Sequence, residues 1–402
     1  MIVQRTWLST VAYLVVAAGV AMTVSLTPAA ASADEIRNEQ WMIEALNLPE
    51  AWKITKGAGV TVGIVDTGVD ATHPDLAGRV LPGIDVVAPA VGAGDGLADP
   101  AGHGTAVASL IAGQGHGSGG KSGIVGVAPE ATILSVRGLS PFDIATEVPP
   151  PTDTARGIRW LADNGADIIL LAYGGRTVGD EAEKEAVRYA AIERGIPVVA
   201  GAGNRGYGSL GKSSDPGVGA LANYPEVMAV SGSTKEGEFW DRSAYGPEVF
   251  VAAPAGPLPV AGLHGGYELG FQGTSASSAI TAGVLALLKS QFPDESRIEL
   301  WWRLGELVTD AGEAGPDDQF GFGVIDPVAA LTGDPGPLPD HLADPEPTAT
   351  HSHSEETATT ADGPVLRAHH ANPMRAVGII VIVGSAGLAA LVSYLRLRRR
   401  NP

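Results

Sequence analysis

The chain has 402 residues, 45% of them hydrophobic and 18% charged, enough apolar material for one large or two ordinary domains with a real core. A formal charge of −19 repels nucleic-acid phosphates, and the one basic cluster, Arg396 to Arg400, sits at the far C-terminus, so nucleic acid is excluded as a partner. With no cysteine there are no disulfides and no thiolate chemistry, and packing or bound ions must hold the fold.

At the N-terminus, Arg5 precedes an apolar run from Trp7 to about Leu26 that leads to Ala31-Ser32-Ala33. This pattern predicts a secretory signal over residues 1–33, cut before Asp34; an uncleaved anchor is the alternative, because the apolar run is long for a signal. Residues 34–50 are polar with Trp41, Leu46 and Leu48 interspersed, an arm that lies on the domain surface or is disordered. The β-branched run VTVGIVD (60–66) then reads as a central parallel strand ending on Asp66-Thr67-Gly68. A carboxylate at the C-terminal end of such a strand is where open α/β sheets build sites; a structural Asp in a turn is the plainer reading.

His103 opens the small, apolar stretch HGTAVASLIA (103–112), which predicts a helix with a histidine at its start. Taken alone, that histidine reads as a packing or capping residue. The segment from Gln114 to Gly123 is glycine-rich and is expected to be a mobile excursion. Strand and helix signals then alternate: ATILSVR (131–137), a helix near Thr154 to Asn164, DIILLAY (167–173), a helix near Asp180 to Arg194, IPVVAGAG (196–203), and short strands at 227–230 and 249–253. Gly273-Thr274-Ser275-Ala276-Ser277-Ser278 opens into the apolar AITAGVLALLKSQF (279–292). That places Ser275 in the first turn of a buried helix, where unpaired N–H groups and the positive dipole end favour negative charge; a simple Ser or Thr cap explains the same run. The alternation predicts one α/β domain over 51–332, a mostly parallel sheet covered by helices on both faces.

Past Leu331 the composition turns to Pro, Thr, Asp and Glu. Residues 333–375 cannot bury enough apolar surface to order themselves and predict an extended linker, whose His351, His353, His369 and His370 are solvated rather than metal-bound. Ala376 to Leu395 is a twenty-residue run without a charge, long enough for one transmembrane helix across a bilayer core of about 30 Å. The arginines that follow mark 396–402 as a cytoplasmic tail, which puts the domain before the span on the outer face of the cell membrane.

Asp66, His103 and Ser275 occur in the order Asp, His, Ser, the subtilisin order among convergent serine-protease triads. Asp-Thr-Gly (66–68), His-Gly-Thr (103–105) and Gly-Thr-Ser-Ala-Ser (273–277) resemble the three signatures of subtilisin-like serine proteases, and Gly203-Asn204 resembles the family's oxyanion-hole asparagine. HPDL (73–76), GVAPEATI (126–133), APAG (253–256) and GFGVIDPVAAL (321–331) match as well, so the likeness spans about 50–331. It implies a three-layer subtilisin-like fold and peptide-bond hydrolysis. A serine hydroxyl is a poor nucleophile, so His103 would take the Ser275 proton as general base while Asp66 orients the imidazole. Asn204 and the Ser275 N–H would hold the oxyanion. The resemblance also implies that Ala172-Tyr173-Gly174 and the segment 200–203, Gly201 included, flank the pocket for the residue before the cleaved bond; Ala172 stands where the family usually has Ser.

Only about 25 residues separate Ala33 from the Asp66 strand, too few for the folded pro-domain of degradative subtilisins, so the chain from Asp34 is expected to fold and act without autoprocessing. The loop after the His103 helix lacks the Asn and Asp ligands of the family's tight calcium site, and no cofactor is expected. Ala279 replaces a family proline, which predicts a looser first turn. The signal, the arm with Gln40-Trp41 before AWKITKGAGVTV (51–62), the acidic Pro-rich stalk and the C-terminal span together resemble the mycosins, membrane-anchored subtilases tied to type VII secretion in actinobacteria. This chain departs from them in having no cysteine. The resemblance implies limited proteolysis of a secreted protein or peptide substrate and association with a membrane secretion complex. A mainly structural subunit with dispensable proteolysis is the competing class.

Overall fold

The structure, a computed structural model, describes residues 33–87, 94–141, 151–173, 180–206 and 217–339. The signal stretch up to residue 32, the linker from 340 onward and the apolar run Ala376 to Leu395 lie outside these residues. Among the described residues no helix is long and apolar enough to cross a membrane.

Three short helices come first, α1 (Ala33–Asn38), α2 (Met42–Ala45) and α3 (Leu48–Ala51). Ile36, Met42, Leu46 and Leu48 are buried, so these few apolar residues anchor the arm to the domain. Gln40 pairs with both backbone groups of Val125, donating to its carbonyl and accepting from its N–H at 2.9 Å each. The Trp41 indole donates to Pro257 O at 2.8 Å.

A seven-stranded parallel sheet follows, beginning with β1 (Thr61–Asp66) and β2 (Val80–Asp85). Between β2 and the next sheet strand, α4 (His103–Ala112) leads into a separate antiparallel hairpin, β3 (Gln114–His116) with β4 (Ser122–Val125). The sheet continues through β5 (Thr132–Arg137), β6 (Ile168–Leu171), β7 (Val198–Gly201), β8 (Val227–Ser233) and β9 (Val249–Pro254), with spatial order β2-β5-β1-β6-β7-β8-β9. Continuous apolar runs make its central strands, as in the fully buried Ile-Ile-Leu-Leu of β6. The sequence reading has no strand at β2, because Pro82 and Gly83 interrupt it. It survives as an edge strand whose register shifts between Leu81 and Ile84.

Helices α5 (Pro151–Asp163) and α6 (Glu181–Arg188) cover one face of the sheet. The other is covered by α4 and by α7 (Thr274–Gln291), which follows a second hairpin of β10 (Leu258–Ala261) and β11 (Tyr267–Phe271). Side-chain alternation along β1 feeds both cores: Val62 and Ile64 pack with Leu110 and Ile280, while Val65 packs with Ile158 and Leu161. Burying each such side chain stabilises the fold by about 1.5–3 kcal/mol. Two more helices close the described chain. A capping box between Ser296 and Glu299 starts α8 (Arg297–Glu306), and the Asp326 carboxylate, accepting from Val328 and Ala329 N–H, starts α9 (Pro327–Thr332).

The glycine-rich segment Gln114 to Gly123 is a hairpin and not a mobile excursion. Arg37 of α1 reaches into it, donating from Nε to Gly123 O at 2.8 Å and from Nη2 to Gly120 O at 3.0 Å and Ser122 O at 3.4 Å. Three carbonyls of this loop therefore already face a tethered cation. Among the described residues no group of three or more His, Cys, Asp or Glu is placed to hold a metal ion.

Candidate active site

Asp66 ends β1 at the C-terminal edge of the sheet and is 1% exposed. His103 is the first residue of α4, and its Nδ1 lies 2.8 Å from Asp66 Oδ1 and 3.0 Å from Oδ2. A carboxylate only accepts, so this bond puts the proton on Nδ1 and leaves Nε2 as the basic nitrogen of the ring. The Thr67 N–H also donates to Asp66 Oδ1, at 2.7 Å.

The glycines of the two motifs are there because the backbones touch. A Cβ on Gly104 would fall 2.0 Å from Gly68 O, and one on Gly68, at φ +102, would fall 2.1 Å from Ala98 O. Any side chain at either position would push α4 away from the end of β1 and separate His103 from Asp66.

Ser275 is the second residue of α7, in the first turn, and is partly exposed. Its neighbour Thr274 clamps this turn to the loop after β7. Thr274 N–H donates to Asn204 Oδ1 at 2.9 Å, and Thr274 Oγ1 accepts from Gly203 N–H at 3.0 Å. With Asn204 Oδ1 so occupied, its NH2 end is the donor side of the amide. A Cβ on Gly273 would lie 3.2 Å from Asn204 Nδ2, and one on Gly201 would lie 2.8 Å from Thr274 O. Despite Ala279, α7 runs unbroken from Thr274 to Gln291.

Asp66 and His103 thus meet directly, and Asn204 meets the turn that carries Ser275. The two pairs are joined through packing. Helices α4 and α7 pack against each other, and the ring of Phe271, four residues before Ser275, lies 5.6 Å centroid to centroid from the His103 ring. Asp66 ends a strand, His103 and Ser275 open helices, and Asn204 lies in the loop just after β7, all toward the C-terminal edge of the parallel sheet.

The remaining predicted residues behave differently. Ala172 is fully buried beside Ala276 and Ala279 in one core. Tyr173 is buried in the other, its hydroxyl donating to Thr154 Oγ1 at 3.2 Å. Both side chains are packing elements. Gly174 lies outside the described residues. Phe271 and Asp99, both near His103 in space, carry no motif of their own and stand outside the residues the sequence singles out.

A parallel α/β sheet with an Asp–His pair at a strand end, and a serine at a helix start clamped to an asparagine in the loop after the neighbouring strand, defines a class of hydrolase. The subtilase family matches residues 57–323, and the chain belongs to this family of serine proteases. Within it, the chain is similar to Mycosin-1 of Mycobacterium tuberculosis (strain ATCC 25618 / H37Rv), 34% identical over 360 residues that cover 76% of this chain and 78% of the relative. Among solved structures it is similar to the MycP3 protease from the type VII (ESX-3) secretion system, with a TM-score of 0.62 and 32% identity over 73% of this chain and 88% of that one. A chain of an intact ESX-5 inner membrane complex matches with a TM-score of 0.62 and 27% identity over 90% of both chains.

Proposed function

We propose that the protein is a membrane-anchored, extracytoplasmic serine endopeptidase acting through Asp66, His103 and Ser275. The observation that carries this reading is the 2.8 Å bond from His103 Nδ1 to the buried Asp66. It fixes the tautomer that a general base needs and stabilises the imidazolium formed when Nε2 takes the Ser275 proton. The Ser275 oxygen then adds to the scissile carbonyl. Asn204 Nδ2 and the Ser275 N–H hold the resulting oxyanion. Return of the proton from His103 to the amine releases it and leaves an acyl-enzyme, which water hydrolyses by the same steps. Backbone at Ala172 to Gly174 and at Gly201 flanks the substrate.

The surrounding plan is a signal over 1–33, a peptidase domain over 51–332 preceded by the arm, a linker over 333–375, a transmembrane helix over 376–395 and a basic cytoplasmic tail over 396–402. Likeness to the MycP3 protease of a type VII system and to a chain of the ESX-5 inner membrane complex supports limited processing of secreted proteins beside such a complex. The ESX-5 match, which runs over 90% of both chains, also favours a second reading, a structural subunit of the membrane assembly whose proteolysis is dispensable.

Three strains, the wild type, Ser275→Ala and a deletion of the whole chain, test both. An organophosphonate probe is expected to label the wild type and not Ser275→Ala, and new N-termini on secreted proteins are expected to vanish in the Ser275→Ala strain. Failure to label the wild type overturns the protease reading. Normal secretion in Ser275→Ala, with secretion lost on deletion of the whole chain, establishes the structural role beside it.

A further inference from the structure

Asp99 is 9% exposed and has no cationic partner among the described residues, a costly state for a carboxylate unless hydrogen bonds replace its water. Five donors converge on it. Oδ1 accepts from the Thr67 hydroxyl at 2.7 Å, Gly102 N–H at 2.8 Å and Ala101 N–H at 3.1 Å; Oδ2 accepts from the Thr105 hydroxyl at 2.6 Å and Thr105 N–H at 2.9 Å.

Helix α4 depends on this arrangement because its N-cap is Gly102, left-handed at φ +83 and with no side chain to offer. Without Asp99 the N–H groups of Ala101, Gly102 and Thr105, on either side of His103, lose their acceptor. The carboxylate also sets the Thr67 hydroxyl. That proton has two acceptors in reach, Asp99 at 2.7 Å and Asp66 at 3.3 Å, and the shorter bond takes it. Thr67 Oγ1 then accepts from Gly104 N–H at 3.1 Å, one residue past His103. Asp66 keeps its lone pairs for the Thr67 N–H and for His103 Nδ1.

We infer that Asp99 is a positioning residue for catalysis, fixing through the start of α4 and through Thr67 the angle at which His103 meets Asp66. The inference rests on the reading of His103 as the general base. Asparagine is not an adequate replacement. Either amide orientation turns its NH2 toward backbone N–H groups, those of Ala101 and Gly102 or that of Thr105, which cannot become acceptors.

The test is steady-state kinetics of Asp99→Asn on a peptide substrate, with Val107→Ala as the control for stability. Val107 is fully buried in the middle of α4, away from its start. Asp99→Asn is expected to lower kcat at least about tenfold with KM within about threefold, because the reacting groups are misaligned while the substrate-binding surface is kept. Val107→Ala is expected to lose thermal stability and hold kcat. Wild-type kcat in Asp99→Asn, or an equal kcat loss in Val107→Ala, overturns the inference. If Asp99→Asn does not fold, Thr67→Val replaces it, with a kcat loss of about fivefold or more expected and an unchanged kcat overturning the role. Organophosphonate labelling separates the two levels. An unlabelled wild type sinks the triad reading, whereas normal labelling with unchanged kcat in Asp99→Asn sinks only the role of Asp99.

Discussion

His116 Nδ1 lies 2.6 Å from Oδ1 of Asp75, a carboxylate with no exposed surface. Around this pair the structure ties together three segments that are far apart in sequence. Ile124 N–H donates to Asp75 Oδ2 at 2.8 Å, Asp75 N–H donates to His73 Nδ1 at 3.1 Å, and His73 Nε2 reaches Gly266 O at 3.0 Å. The Tyr267 hydroxyl lies 3.5 Å from His116 Nδ1. The hairpin β10–β11, which runs on into the Ser275 turn, is therefore held to the loop after β1 and to the β3–β4 hairpin by one buried polar network.

Tyr267 makes this network sensitive to alkali. Burial first, and the nearby Asp75 charge second, push its hydroxyl well above the ordinary tyrosine range, while the half-buried Arg37 pulls weakly the other way. Above about pH 10 an unfolded tyrosine loses its proton while the folded one keeps it. The native state then holds the extra proton, so its stability is complete below about pH 10 and drains away as pH rises further. Melting curves of wild type and Tyr267→Phe between pH 8 and 11 are expected to converge, the wild type falling more steeply. Parallel curves count against the network.

Arg37 is expected to be the main tie of the arm. Arg37→Ala strands the Gly120, Ser122 and Gly123 carbonyls and leaves Asp75 without its nearby cation. Hydrogen bonds to a charged group contribute about 1.5–3 kcal/mol, so a Tm loss of roughly 5–10 °C is expected. Faster amide exchange confined to residues 114–125 and the arm is the accompanying sign. Arg37→Lys keeps the charge but loses the planar fork and should fall between.

Asn204→Ala is expected to keep the fold and lose at least about tenfold in kcat. Removing the amide donor costs about 10²–10³ in subtilisin, a member of the same family and the source of that figure. Circular dichroism and kcat measured on the same preparation decide it, and unchanged turnover removes Asn204 from the site.

Gly201→Ala probes the clamp rather than the chemistry. The added methyl meets Thr274 O and Oγ1, both at 2.8 Å, and Thr274 holds Asn204 and precedes Ser275. A shift of about 1 Å in this turn is expected to lower kcat about 10²-fold. Ala172→Gly, at a fully buried packing position, should cost stability and spare most of the turnover.

Much of the sheet was legible because its strands advertise themselves locally. β1, β5, β6, β7 and β9 are apolar runs ended by glycine, proline or charge, and each falls where the pattern places it. β2 was not, since an edge strand tolerates Pro82 and exposed residues and so lacks the buried run that marks a central one. The arm and the glycine loop are hard to read from sequence for one reason. Each looks unsupported alone, and each is ordered by the other, through Arg37 and Gln40 acting across more than eighty residues of chain.

What the sequence alone determined is the chemical inventory and its order: an acid at a strand end, a histidine and a serine at helix starts, glycines where a side chain cannot be, and no sulfur. These are local properties, written within a few residues by periodicity, turn preference and residue type. Only the tertiary structure decided which of these groups meet. The Asp66–His103 bond joins residues 37 positions apart, and the Thr274–Asn204 bond residues 70 apart. The convergence of Thr67, Gly102 and Thr105 on Asp99 likewise exists only because α4 packs against the end of β1 with a glycine on each side of the contact. Such contacts depend on how whole elements pack, and no short window of sequence contains that information.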